Sequence, residues 1–202
     1  MTVDRSLIES LIEALAKVIA ESEDELAMLD RAIGDGDHGA NMKRGFEAVL
    51  SQLDSIAVKD LPDALQAVGM QLVMKVGGAS GPLFGTLFMS LGKAISNSPD
   101  AAEMARGIAI AIDAVKVRGK SDVGCKTMLD VLAPVQKTLA DGADFAAIRA
   151  CASKAAAATI PIQATKGRAS FLGERSIGHM DPGSRSSQLM IEAICDVLEA
   201  RQ

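Results

Sequence analysis

The densest chemistry in the chain lies in Asp30-Arg31-Ala32-Ile33-Gly34-Asp35-Gly36-Asp37-His38-Gly39-Ala40-Asn41, where three carboxylates fall within eight residues. Gly34, Gly36 and Gly39 satisfy G-x-G-x-x-G in letters, but that fingerprint presents bare amides to a pyrophosphate after a strand. A helical pattern precedes it here, and two aspartates inside the loop would repel phosphate. They make sense if a cation lies between protein and phosphate, since Mg2+ takes one or a few carboxylates, keeps waters and fills its remaining positions with phosphate oxygens. A calcium EF-hand fails on spacing: the twelfth residue is Asn41 counted from Asp30 and Phe46 counted from Asp35, so the closing bidentate Glu is missing. Helix caps and Asp-Gly turns use the same residue types, and His38 fits a turn equally well; residue chemistry alone leaves those readings open.

Two further segments supply what a phosphate site needs. Gly77-Gly78-Ala79-Ser80-Gly81-Pro82 precedes a helical pattern and offers small residues whose amides can approach an anion at a helix start. It lacks the Lys of a Walker A loop, and an ordinary Gly-rich turn capped by Ser80 is the alternative. Between 163 and 185, Lys166, Arg168, Arg175, His179 and Arg185 bring positive charge opposed only by Glu174 and Asp181. Such an excess can clamp phosphates, Arg by bidentate hydrogen bonds; the alternative is a solvated loop. A carboxylate cluster, an amide-rich helix start and a basic loop are together the parts of a magnesium-nucleotide phosphoryl-transfer site. Spacing alone does not show that they converge.

The elements that must position these segments read as helices. Leu7, Ile8, Leu11, Ile12, Leu15, Val18 and Ile19 form one apolar stripe, and Leu61, Leu65, Val68, Leu72, Val73 and Val76 another. Periodicity and caps place helices near 5–20, 23–30, 40–53, 61–76, 82–97, 100–117, 125–140, 144–161 and 184–200, the first two compatible with one bent helix. Ser98-Pro99 and Asp181-Pro182 pair a cap with a proline at the first helical position, and Ser22 with Glu25 resembles a capping box. The alternating Ile108 to Ile112 is read as helix, because Met104, Ile108, Ile112 and Val115 continue at three- and four-residue steps. Thirteen of the 18 glycines fall in 34–39, 77–85, 119–124 and 167–183, so the connections carry the unusual backbone or the close approach to a ligand.

Composition narrows the field. The 202 residues are 49% apolar and 23% charged with a net charge of −5, which describes one globular domain over 1–202. No uninterrupted apolar run exceeds five residues, against roughly 20 for a membrane span, and the N-terminus shows no export signal, so a cytoplasmic location without a membrane partner is expected. Cys125, Cys151 and Cys195 are odd in number and widely spaced, and are read as reduced thiols. With no Trp or Tyr, five Phe and an acidic balance, nucleic acid is not an expected partner.

Asp30 through Asn41, Gly77 through Thr86, and Lys166-Gly167-Arg168-Ala169-Ser170 with Gly173 through His179 and Asp181-Pro182-Gly183 resemble the nucleotide-binding L subunit of dihydroxyacetone kinase, in the family's order and over nearly the whole chain. The resemblance implies an all-α, single-domain barrel of about eight antiparallel helices with a nucleotide-magnesium site in loops at one end. It implies that Asp30, Asp35 and Asp37 ligate two Mg2+, and that His38, Gly39, Ala40, Asn41, Ala79 and Ser80 hold the phosphates of ADP or ATP. Gly119 and Met128 would belong to the adenine pocket, and Arg168, Asp181, Pro182 and Gly183 would complete the nucleotide contacts. Ser184-Arg185 departs from the small pair more usual in the family.

By that resemblance the chain is a kinase subunit whose ADP is recharged by a phosphohistidine protein of the sugar phosphotransferase system, and whose acceptor is dihydroxyacetone on a separate K subunit. No catalytic residue is expected beyond the Mg-nucleotide site. An ATP-dependent L subunit acting on a triose or tetrose, and a nucleotide-loaded regulatory module without turnover, are the alternatives; a homodimer is left open.

Overall fold

The computed structural model describes residues 3–201, and every regular element among them is helical. In chain order they are α1 (Arg5–Glu21), α2 (Glu23–Ile33), α3 (His38–Leu50), α4 (Leu53–Ala57), α5 (Leu61–Lys75), α6 (Ser80–Ala94), α7 (Ala101–Gly119), α8 (Leu129–Ala140), α9 (Phe145–Ala158) and α10 (Pro182–Glu199). A 3-10 segment, Arg168–Ser176, interrupts the long connection before α10 and bends at Gly173. Asp4, Asp100, Asp144 and Asp181 start their helices in the expected manner, each carboxylate accepting an amide hydrogen from the first turn.

Several boundaries differ from the sequence reading, each for a local reason. The helix expected from Ser98-Pro99 begins at Ala101, because Asp100 is extended and accepts from the Glu103 amide at 2.7 Å. Ser22 separates α1 from α2 but makes no side-chain cap: its backbone stays near helical (φ −101, ψ 9), so the hydroxyl has no reach to the next turn. The helix expected over 40–53 ends at Leu50, and the chain re-enters a short α4 that periodicity did not resolve. The one expected from 125 starts at Leu129, since Lys120 and Lys126 adopt left-handed backbone (φ 48 and 63).

Packing runs in a circuit. Helix α1 packs on α3, α3 on α5, α5 on α6, and so on through α7, α8, α9 and α10, which returns to α1. Short connections from α5 through α9 make those neighbours antiparallel, while α1 reaches α3 through α2 and α9 reaches α10 through the long connection. Leu7, Ile19, Leu26, Met42, Phe46, Leu72, Phe84 and Val115 fill the interior with almost no exposed surface. A second cluster, Val131, Val135, Ile148, Ala152, Ala156 and Cys195, seals α8, α9 and α10; there Ala152 and Ala156 let helices approach closely. No described helix is long and apolar enough to cross a membrane, and all three cysteines are free.

Helix α2 lies across one end of the circuit against α3, α10 and the 3-10 segment. The starts of α3, α6, α8 and α10 gather at that end, tied together by side chains described below. Gly39 permits it: a Cβ there would stand 2.1 Å from the Glu23 carbonyl oxygen and 3.0 Å from the Ala27 amide nitrogen. Backbone cannot yield as a side-chain tip can, so Gly39→Ala should destabilise the fold by about 1–3 kcal/mol. Differential scanning calorimetry should show a lowered Tm; an unchanged Tm would mean that the α2–α3 crossing is not close-packed.

Candidate functional site

Asp30 lies in the last turn of α2, 9% exposed, and Asp37 immediately precedes α3; Asp35 stands between them. A positive φ of 78 at Gly36 reverses the chain between the two loop aspartates. One carboxylate oxygen from each of Asp30, Asp35 and Asp37 lies within 4.8 Å of the others. Capping explains only part of this. The Asp30 carboxylate accepts from the His38 amide at 3.1 Å, but Asp37 makes no cap hydrogen bond although it occupies the cap position. The Asp35 carboxylate is met by the Arg168 guanidinium from the far end of the chain, so a cation already answers the cluster's negative charge. Three hard oxygen donors beside helix starts fit Mg2+ in type and number, with phosphate oxygens and water left to complete its shell.

His38 is placed differently from a phosphate-facing histidine. Its ring is buried, with Nδ1 2.9 Å from Ser80 Oγ on α6 and Nε2 3.1 Å from Ser186 Oγ on α10. Ser186 donates its one hydroxyl hydrogen to the Gly183 carbonyl at 3.1 Å. Each ring nitrogen thus has a serine hydroxyl as partner, one donating and one accepting according to the tautomer. With its amide on Asp30 and its ring between two serines, His38 joins the starts of α3, α6 and α10. Burial holds its pKa below the ordinary value of 6.5, against the raising influence of Asp30 and Asp37.

The remaining expected residues distribute around this joint. Gly39 and Asn41 are buried in the first turn of α3, where Asn41 accepts from Arg44, and Ala40 faces outward. Ala79 caps α6 and Ser80 opens it. Met128 caps α8, nearly buried, beside Gly183, whose added Cβ would meet the Met128 amide nitrogen at 3.6 Å. Gly119 ends α7 against Leu83 of α6. Asp181 caps α10 through Ser184 at 2.6 Å, followed by buried Pro182; desolvation pushes the Asp181 carboxyl up to about 7, opposed by the Ser184 hydrogen bonds. Arg185 folds back on Glu25 of α2, with Nε 2.7 Å and Nη2 3.3 Å from the two carboxylate oxygens.

Sequence reasoning missed a layer of buried polar groups behind these residues. Asp130 accepts from the amides of Gly124 and Thr127, while the Thr127 hydroxyl accepts from the Leu129 amide. Thr127-x-x-Asp130, one residue ahead of the Met128 cap, thus resembles a capping box, and its pattern was readable. Lys126, Thr159, Ser176 and Ser184 carried no such signal.

The buried His38 makes stability depend on pH. The unfolded chain takes up a proton near 6.5 and the folded ring resists it, so His38 costs nothing above that value and destabilises the fold progressively below it. In nucleotide-free protein, the stability difference between the parent and His38→Gln should therefore shift against the parent as pH falls from 7 to 5. Thermal melts across that range should show it; parallel curves would mean that the folded ring titrates as it does in the unfolded chain.

Residues 32–196 match the DAK2 domain. The chain is 42% identical over 200 residues to the ADP-binding subunit DhaL of PEP-dependent dihydroxyacetone kinase 1 from Listeria innocua, covering 96% of this chain and 97% of that one. It is 41% identical over 204 residues to the ADP-binding subunit DhaL of the PEP-dependent dihydroxyacetone kinase of Escherichia coli K12, again covering 96% and 97%. Its fold is similar to that in the crystal structure of the Citrobacter freundii dihydroxyacetone kinase in complex with AMP-PNP and Mg2+ (TM-score 0.77, 23% identity), covering 95% of this chain and 34% of that longer one. With Asp35 and Asp37 inside the matched region and near end-to-end likeness to such subunits, the chain belongs to the DAK2 domain family, alongside the DhaL subunits of dihydroxyacetone kinase.

Proposed function

We propose that the chain is the nucleotide-binding phosphotransferase subunit of a dihydroxyacetone kinase. It retains ADP with two Mg2+, receives a phosphoryl group on it from a phosphohistidine protein of the phosphotransferase system, and passes that group to dihydroxyacetone on a separate K subunit. The observation that carries this reading is the meeting of Asp30, Asp35 and Asp37 within 4.8 Å, beside the joined starts of α3, α6 and α10 and under Arg168. The likeness to ADP-binding, PEP-dependent subunits supports the retained nucleotide and the phosphohistidine donor. The circuit of helix contacts that returns to α1 supports an eight-helix barrel over a single domain, 1–202. A cytoplasmic location follows from that role; a homodimer is not part of it.

Asp30, Asp35 and Asp37 would hold the cations, which when bound draw charge from the phosphate oxygens and so favour transfer. The first turns of α3 and α6, from His38 to Asn41 and at Ala79-Ser80, receive the phosphates with aligned amides. The buried His38 ring holds the Ser80 hydroxyl in one orientation, and Arg168 adds a planar donor pair. Gly119 and Met128 take the base, and Asp181, Pro182 and Gly183 close the nucleotide's other side. Phosphoryl transfer requires donor and acceptor in line, and the acceptor is oriented by the K subunit.

Mass analysis of nucleotide released on denaturation should find ADP. EDTA should release it from folded protein and lower Tm, since a ligand at a thousandfold excess over its Kd contributes about 4 kcal/mol of stability. Asp35→Asn and Asp37→Asn should each fail to retain it. Unchanged nucleotide content and Tm under all three treatments would overturn the metal assignment.

The division of labour is tested by turnover. With Mg2+, dihydroxyacetone and either a phosphohistidine donor or ATP, the isolated chain should form no sustained dihydroxyacetone phosphate until a matching K subunit is added. Formation before that addition would overturn the partner assignment, and the donor that supports turnover distinguishes a recharged ADP from exchanged ATP.

A further inference from the structure

Lys126 is a cation that none of the roles above uses. It lies just before α8 in left-handed backbone (φ 63), and its side chain is 1% exposed. Among the described residues it forms no ion pair. Its ammonium donates instead to two carbonyls, Ile162 at 3.0 Å and Ser176 at 2.7 Å. Burying an ammonium is costly unless its hydrogens are taken up, so these two bonds, with the attraction of the nearby Asp181 carboxylate, offset the cost of holding the charge in the interior.

The two carbonyls stand at either end of the stretch 162–176, which the ammonium closes on itself. Inside that stretch the Ser176 hydroxyl accepts from the Ala164 amide at 2.9 Å and donates to the Gly173 carbonyl at 2.6 Å. The Thr165 amide donates to the Cys125 carbonyl at 3.3 Å, beside the lysine. Ala164 and Ala169 pack on Ile33 at the end of α2. Arg168 belongs to the closed stretch, and its guanidinium meets Asp35. A continuous path of bonds and packed atoms thus runs from a buried charge beside α8 to the arginine over the carboxylates.

We propose that Lys126 is a positioning residue for the phosphate site: its buried ammonium closes 162–176 into one fixed loop and thereby sets where Arg168 stands. This deepens the nucleotide-binding reading and rests on it. A connection of this length with no strand ladder has few means of holding a long side chain in place, and a point charge with three donors can tie two distant carbonyls at once. Ser176, whose carbonyl and hydroxyl both serve the closure, is the loop's side of the same joint.

The test is a double-mutant cycle with Mg-ADP as the probe, read by calorimetric titration on nucleotide-stripped protein. Arg168→Ala should weaken Mg-ADP binding about tenfold in the parent, the worth of a charge-assisted hydrogen bond. In a Lys126→Met background the same substitution should cost less than about twofold, because the arginine is no longer held in place. Hydrogen exchange on the nucleotide-free Lys126→Met protein should accelerate in 160–178 and remain unchanged in α3 and α6. Should Lys126→Met not fold, Lys126→Gln, which keeps one donor, should show the same two effects in part. If Arg168→Ala costs as much in the lysine variant as in the parent, or if exchange in 160–178 is unchanged, the positioning role is overturned. Failure of Mg-ADP to bind the parent would instead overturn the nucleotide-binding reading, and the exchange measurement would still decide the closure.

Discussion

Three carboxylates brought together at one end of a helical bundle repel one another, and the surrounding structure is organised by what offsets that repulsion. Two like charges about 4 Å apart oppose each other by roughly 4 kcal/mol at the effective dielectric of a protein surface. Asp30 is stabilised by the His38 amide, Asp35 by the Arg168 guanidinium, and the whole cluster by the positive ends of α3, α6 and α10. These same features suit a polyphosphate with its cations. In the proposed site the aspartates would take up the cations and the helix starts and arginine the phosphates, each set offsetting the charge of the other.

That arrangement depends on a buried polar layer. The His38 ring spans two helices through Ser80 and Ser186, and the Ser184 hydroxyl donates to the Thr127 carbonyl, bringing the start of α10 to that of α8. The Thr159 hydroxyl donates to the Ala156 carbonyl and accepts from the Asp181 amide, fastening the end of α9 to the cap of α10. Among the described buried side chains, only the Ser121 hydroxyl lacks a partner. A network satisfied to this degree is stiff, because moving any member strands a donor or acceptor away from water. The loops at this end can therefore carry a site that needs fixed geometry without strand ladders to brace them.

Arg185 shows how a departure from a family pattern is absorbed. Its guanidinium pairs with Glu25 through two hydrogen bonds, linking the first turn of α10 to the first turn of α2. The pair sits beside the joint rather than among the proposed ligands, so the substitution alters how α2 is held across the end of the bundle.

Much of this was legible in the residues. Apolar stripes at three- and four-residue steps marked the major helices, because a helix must bury one face whatever its neighbours are. Asp30, Asp35 and Asp37 in a glycine-bearing loop suggested a cation, while helix caps and Asp-Gly turns offered the same residues another use. The starts at Ala101 and Leu129 were misjudged because capping is decided by which side chain reaches an amide: Asp100 in preference to Ser98, and Asp130 turning the chain before α8. His38 was legible as a member of the site but not as the link between three helices, because its partners lie 42 and 148 residues away. Lys126 carried no signal in the sequence; its burial goes with two carbonyls that only the folded path of the long connection brings to it. By itself the sequence determined the helical class, the major helices and the charge pattern, all of which follow from local residue type and periodicity. Only the tertiary structure decided which groups meet, because side-chain partners far apart in the chain are selected by packing and by the need to satisfy every buried polar atom at once.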